Sequence, residues 1–178
     1  VNAVMSDAAA SDDSDLRNIV HAGTTLVSTS LAIAERTAAS GQDVLAAIVL
    51  GYEASGRIGE AITPAFLTRG FHGCLVAIFV GTVAAGRLLE LDEVQMAQAI
   101  ALSATSIGGL RAAADTSVSR EYHAGLAATL GIQAALAAQR GYMAEERIFE
   151  THGGFCAAYG DTDGSSITRD LGDTWDII

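Results

Sequence analysis

Apolar residues return every three or four positions along most of this chain, and Pro64 is its one proline; together these features constrain the fold more than anything else in the sequence. A proline removes a backbone donor and clashes with the preceding helical turn, so a chain of 178 residues with one proline can run as long helices almost without a break. Ala, Leu, Ile and Val dominate while aromatics are 6% of the residues, a mixture that suits closely packed helices better than strand sandwiches. The class expected is all-α, a multi-helix bundle in one compact domain, with no internal repeat.

The residues to Ala10 have the composition of a small-residue helix, and Ser11 to Asp15 supply turn and N-cap chemistry. From Thr24 to Ala39, the positions Leu26, Leu31, Ile33 and Ala34 share a helical spacing, and Gly41 stands where a C-terminal cap is expected. A second long helix runs from about Gln42, through Val44, Leu45, Ile48, Val49 and Tyr52, until Pro64 ends or bends it. The third begins near His72 or Gly73 and carries Leu75, Ile78, Phe79, Val83 and Leu88 to the Glu90-Leu91 junction. Asp92 reads as the N-cap of a fourth, Glu93 to about Ile107, stopped by Gly108-Gly109. A polar stretch, Asp115 to Ser119, precedes a fifth from about Arg120 to Arg140, which Gly141 terminates. Short helical turns are expected at Glu145 to Phe149 and Phe155 to Tyr159, a loop at Gly160 to Ser166, and the beginning of a strand at Thr174 to Ile178.

A formal charge of −11 argues against a nucleic-acid partner, because phosphate binding needs clustered Lys and Arg. Every cation here is an arginine, so Schiff-base chemistry and a lysine base are excluded within the chain. Cys74 and Cys156 are too few and too far apart in sequence to read as a metal clip or a disulfide framework, which fits a reducing, cytoplasmic setting. The most apolar stretch, Cys74 to Leu89, is interrupted by Gly81, Gly86 and Arg87 and falls short of a bilayer span of about 20 residues, so no membrane partner is expected. The chain opens on Val1 without an initiator methionine and ends on Trp175-Asp176-Ile177-Ile178, which reads as a cut piece.

Chemistry has few places to sit. His21, His72 and His123 all fall at or just before expected helix starts, where unpaired backbone N–H groups favour anions, carboxylates in particular. Such histidines are more often structural, and only convergence in space makes them a polyanion site. Asp12-Asp13-Ser14-Asp15 lacks the glycine and distal glutamate of a calcium loop; a solvated turn is the simpler reading, with a catalytic carboxylate the alternative. Arg120, in the first turn of a helix, opposes the helix dipole unless an anion compensates, and an exposed pair with Glu121 is the plainer account. Gly51 to Gly59 and Gly153-Gly154 do not make a phosphate-cradling loop, and His152 beside the latter reads as a loop residue.

In order, the chain presents Asp12-Asp13-Ser14, His21-Ala22-Gly23, Gly51-Tyr52-Glu53 with Arg57-Ile58, and Arg69-Gly70-Phe71-His72. Ala85-Gly86-Arg87-Leu88-Leu89-Glu90-Leu91-Asp92, Tyr122-His123-Ala124-Gly125-Leu126-Ala127-Ala128 and Ala137-Ala138-Gln139-Arg140-Gly141-Tyr142 follow. This series, through nearly the whole chain, resembles the ordered landmarks of the MmgE/PrpD family. The resemblance implies a large all-α domain joined to a smaller α+β lid, an active site between them, and a dimer. It implies that residues 1–170 are part of the helical domain, that 171–178 begin the connection to a lid absent from this chain, and that the chain by itself is inactive.

The family includes 2-methylcitrate dehydratase, cis-aconitate decarboxylase and an iminodisuccinate epimerase, none needing an iron–sulfur cluster. By position, His21 matches a catalytic acid or base after the family's acidic loop, His72 an active-site histidine, and His123 the histidine of a Lys-x-x-His-x-Gly motif. Arg120 stands where lysine is usual, Gly73 and Cys74 where proline and a small polar residue are common, and Ala22 for a frequent proline. The family's catalytic aspartate falls near Ala10 or Ser11, so either Asp12 or Asp13 takes its role or the chemistry differs. The expectation is therefore a lyase, dehydrating or decarboxylating a small di- or tricarboxylate without a cofactor or metal. His21 would move the proton, Arg120 and His123 would grip carboxylates, and His72 would be a second acid/base or orienting group. The rivals are an epimerase or isomerase using the same proton transfer, and a non-catalytic helical interaction module.

Overall fold

The computed structural model describes residues 1–106, 108–116 and 119–177. Among these the helices are α1 (Asn2–Ala8), α2 (Ala22–Thr37), α3 (Gly41–Ile62), α4 (Ala65–Thr68), α5 (Cys74–Leu88), α6 (Glu93–Ala104), α7 (Ala112–Thr116), α8 (Ser119–Gln139) and α9 (Phe155–Gly160). No strand longer than an isolated bridge occurs among the described residues, and the expected all-α class holds.

α5 is the axis of the bundle. Every residue of it except Arg87 is buried, because α2, α3, α6 and α8 pack around it on all sides. Leu75, Ile78, Phe79 and Val80 are wholly inaccessible, and Phe79 stacks edge-on against Phe155 of α9. The small residues noted in the sequence serve the close crossing of α5 and α8: a Cβ at Gly131 would lie 2.8 Å from the Ile78 carbonyl oxygen and 2.9 Å from the Thr82 nitrogen. The Thr82 and Ser103 hydroxyls, both buried, pair with each other at 2.7 Å between α5 and α6. No described helix is long and apolar enough to cross a membrane.

Helix boundaries follow local capping chemistry. Asp92 forms the expected N-cap of α6 as a full capping box, accepting from the Gln95 amide at 2.8 Å while the Gln95 side chain accepts from the Asp92 amide at 3.1 Å. Gly141, in a left-handed conformation at φ 83°, follows the end of α8. Gly41 is different from what its position suggests: it is the first residue of α3, because Ser40 caps that helix by accepting from the Asp43 amide at 3.2 Å. α2 ends earlier instead, with Ala38 taking the left-handed capping conformation at φ 55°.

Several other expectations are corrected. Residues 174–177 form a bend and turns rather than a strand, while 146–150 form turns closed by bonds such as that from the Thr151 amide to the Arg147 carbonyl at 2.9 Å. The chain after α9 has no sheet to join; it is clasped to α3, where Arg57 donates to the carbonyls of Ile167, Arg169 and Thr174, and Glu53 accepts from the Asp176 amide at 2.7 Å. α4 and α7 were not foreseen. Ile107, Ser117, Val118 and Ile178, which belonged to the expected fourth helix, polar stretch and strand, lie outside the described residues.

Candidate active site

α1, the loop from residue 9 to 21, the starts of α2 and α5, and the first turns of α8 meet around a small hollow that opens to solvent. His21, His72, Cys74, Arg120 and Asp7 are on its wall. The loop is shaped by Asp15, whose amide donates to the Val20 carbonyl at 3.0 Å while its carboxylate accepts from Arg17 and Asn18. This closure delivers His21 to the position immediately before α2.

His21 is held through one ring nitrogen. Its Nδ1 lies 3.1 Å from an Asp12 carboxylate oxygen, 3.0 Å from the Asp13 carbonyl and 3.2 Å from the Ser14 hydroxyl. A carboxylate and a carbonyl both accept, so Nδ1 carries a proton, and in the neutral ring the lone pair is at Nε2. Asp12 and Asp13 part company here. Asp12 pairs with the imidazole, whereas Asp13 accepts from the Gly23 amide at 2.9 Å and bonds the Tyr52 hydroxyl, tying the loop to α2 and α3. Burial, with Asp13 second, pushes the Tyr52 phenol up to about 12.

His72 and His123 form a second group. Their Nδ1 atoms are 3.4 Å apart, with ring centroids separated by 5.1 Å. The Cys74 amide donates to the same His72 nitrogen at 3.4 Å, so Nδ1 of His72 is an acceptor and the His123 Nδ1–H is the donor between the rings. Burial first, then the neighbouring His123, Arg120 and His21, pushes the His72 imidazole down to about 4, and burial pushes the Cys74 thiol up to about 12. His123 stands behind His72 rather than on the wall of the hollow.

Arg120 does not make the simple exposed pair with Glu121. Its side chain lies 3.4 Å from Asp7 and 3.7 Å from Glu121 and is partly buried. Asp7, on α1, is 5% exposed, and burial raises its carboxyl above the ordinary value despite the opposing Arg120 charge. Asp7 and Cys74 are residues that sequence reasoning missed. Asp7 is hidden in a small-residue helix with no pattern pointing inward, and Cys74 was read only as one of two distant cysteines and as a departure from the family pattern, without a role. His152 is exposed on its loop.

The MmgE/PrpD N-terminal domain model matches residues 1–168. A cis-aconitate decarboxylase-like protein of Aspergillus oryzae is 32% identical over 151 residues, covering 79% of this chain and 31% of the relative. A cis-aconitate decarboxylase of Aspergillus terreus is 31% identical over 146 residues, covering 76% of this chain and 30% of that protein. The chain thus spans about a third of the length of these curated relatives.

Proposed function

The chain belongs to the MmgE/PrpD family, and from that premise we propose that it carries the helical-domain side of a lyase site for a small di- or tricarboxylate of the cis-aconitate type. One observation carries the reading: an imidazole oriented by a carboxylate, His21 with Asp12, opens on the same hollow as the Arg120 guanidinium. In this reading residues 1–170 are part of the helical domain, 171–178 lead towards a lid, and the working protein is a dimer.

The chemistry needs a base and an anion grip, because a carbon next to a carboxylate is a weak acid whose negative charge must be held as it develops. His21 Nε2 takes the proton from that carbon, and Asp12 stabilises the imidazolium that forms. In a dehydration the released electron pair makes the double bond as hydroxide leaves with a proton as water. In a decarboxylation the bond to the departing carboxyl breaks instead and carbon dioxide leaves; there His21 starts protonated at Nε2 and gives that proton to the carbon, ending neutral. Arg120 holds the remaining carboxylate, displacing Asp7. His72, whose Nδ1 is already an acceptor, presents an Nε2–H to orient the substrate, and His123 fixes the His72 ring from behind.

A second reading rests on the same Asp7: its carboxylate already neutralises Arg120, as in a non-catalytic module whose anion site is permanently filled. Ligand-induced stabilisation separates the two. In the lyase reading, citrate or cis-aconitate at about 100 times its dissociation constant raises the stability of the whole protein by about 2.7 kcal/mol, read as a higher melting temperature. In the scaffold reading the melt does not move. Product analysis on a panel of di- and tricarboxylates then identifies the reaction, and His21→Ala should lower turnover by about 10²–10⁴-fold with the fold intact. Unchanged turnover in that variant rejects the assignment.

A further inference from the structure

Two imidazole nitrogens and a thiol sulfur meet at the edge of the hollow. The Cys74 Sγ and the ligating nitrogens of His72 and His123 all lie within 4.8 Å of one another. The two Nδ1 atoms are 3.4 Å apart, against roughly 3.3 Å for the edge of a tetrahedron built on Zn–N bonds of about 2.0–2.1 Å. The lone pair of His72 Nδ1 is shared by two long contacts of 3.4 Å, from the Cys74 amide and from His123, so neither uses it well. The backbone is fitted to the group: the His72 amide donates to the Gly109 carbonyl at 3.0 Å and the Arg111 amide to the Gly70 carbonyl at 2.8 Å, drawing the segment after α6 over the cluster. Only glycine allows this, since a Cβ at Gly109 would stand 2.4 Å from Cys74 Sγ and 3.3 Å from His123 Cε1.

We propose that His72, Cys74 and His123 form a binding site for a thiophilic divalent cation, with Zn²⁺ its best-matched occupant. Two imidazoles and a thiolate select Zn²⁺ over Mg²⁺ or Ca²⁺, which require oxygen ligands. Coordination releases the Cys74 proton to solvent, moves the His123 proton from Nδ1 to Nε2, and leaves the three-ligand centre with one net positive charge and a fourth position open to water or a carboxylate. Arg120 does not present an unpaired positive charge to the ion, because Asp7 lies 3.4 Å from it. The site shares His72 and His123 with the lyase reading, but its test uses no activity, so the two can fail separately.

The test is titration of the full chain, in metal-free buffer, with Zn²⁺ against a chromogenic chelator, and with Co²⁺ by absorbance. The site predicts one equivalent bound per chain. It predicts the thiolate-to-cobalt charge-transfer band and the intense visible bands of a tetrahedral centre in the unaltered protein, which needs no variant to be read. Cys74→Ser should weaken binding by about 100-fold or more, with His123→Gln doing the same if the buried Cys74 substitution disturbs folding. Cys156→Ala and His152→Ala should leave it unchanged. A cobalt spectrum without thiolate character, no stoichiometric binding, or affinity that survives both ligand substitutions overturns the proposal.

Discussion

Among the described residues, two arginine–carboxylate pairs are largely withdrawn from solvent, and they are bonded in opposite ways. On α3, Arg57 donates to Glu53 and to three backbone carbonyls, and the other Glu53 oxygen accepts from the Asp176 amide, so both charges are fully used. Between α8 and α1, Arg120 and Asp7 approach to 3.4 Å, but Arg120 Nε, Asp7 Oδ2 and Glu121 Oε2 make no hydrogen bond among the described residues. A buried charge without its hydrogen bonds is costly, and native structures retain such groups where a ligand can satisfy them. The first pair fastens the chain's last residues to the bundle; the second faces the hollow and has bonding capacity left over.

The largest stability effect expected is at the saturated pair. Arg57→Ala strands Glu53 among buried groups and should cost about 3–5 kcal/mol in urea unfolding. Arg120→Ala should cost less, about 1–3 kcal/mol, because it breaks one poorly formed contact, while abolishing the citrate-dependent rise in melting temperature. Equal losses from the two substitutions would break the comparison.

Asp7→Asn sharpens it, with a change within about 1 kcal/mol and a characteristic pH signature. Burial raises the Asp7 carboxyl above its ordinary 3.8, so the stability this proton contributes is complete below that value and is lost as pH rises through the raised folded value. The Asn variant should lack that part of the pH slope between acid and neutral solution, measured by thermal melts across the range.

Much of the scaffold was legible because its signals are local. The repeat of apolar residues in α2, α3, α5, α6 and α8 is a property of each segment, and the Asp92 capping box needs only residues three apart. Gly41 was misread because two short-range rules competed there, a glycine that ends one helix and a serine that starts the next; the Ser40 bond to Asp43 decided it. The end of the chain was misread for another reason. Thr174 to Ile177 have strand-like composition, but a strand needs a backbone partner, and the segment is instead held by the side chains of Arg57, Glu53 and Arg17.

The candidate site divides along the same line. His21, His72, His123 and Arg120 stood out as residue types at expected helix starts, and the structure brings His21, His72 and Arg120 to one hollow with His123 against His72. Which of Asp12 and Asp13 faces the imidazole is not written in a run of adjacent carboxylates, since both fit a turn equally well. The loop closure by Asp15 and the bonds from Gly23 and Tyr52 to Asp13 leave Asp12 for His21.

The sequence by itself determined a helical bundle of small residues around one apolar helix, its acidic character, and the chemical kinds available for a site, because periodicity, charge and residue type are additive along a chain. Only the tertiary structure decided the partnerships: Asp7 with Arg120, Asp12 with His21, and Cys74 with two histidines. Those depend on segments up to more than a hundred residues apart crossing at a particular angle, and the packing of α5 against α2 and α8 fixes that crossing through contacts no local pattern encodes.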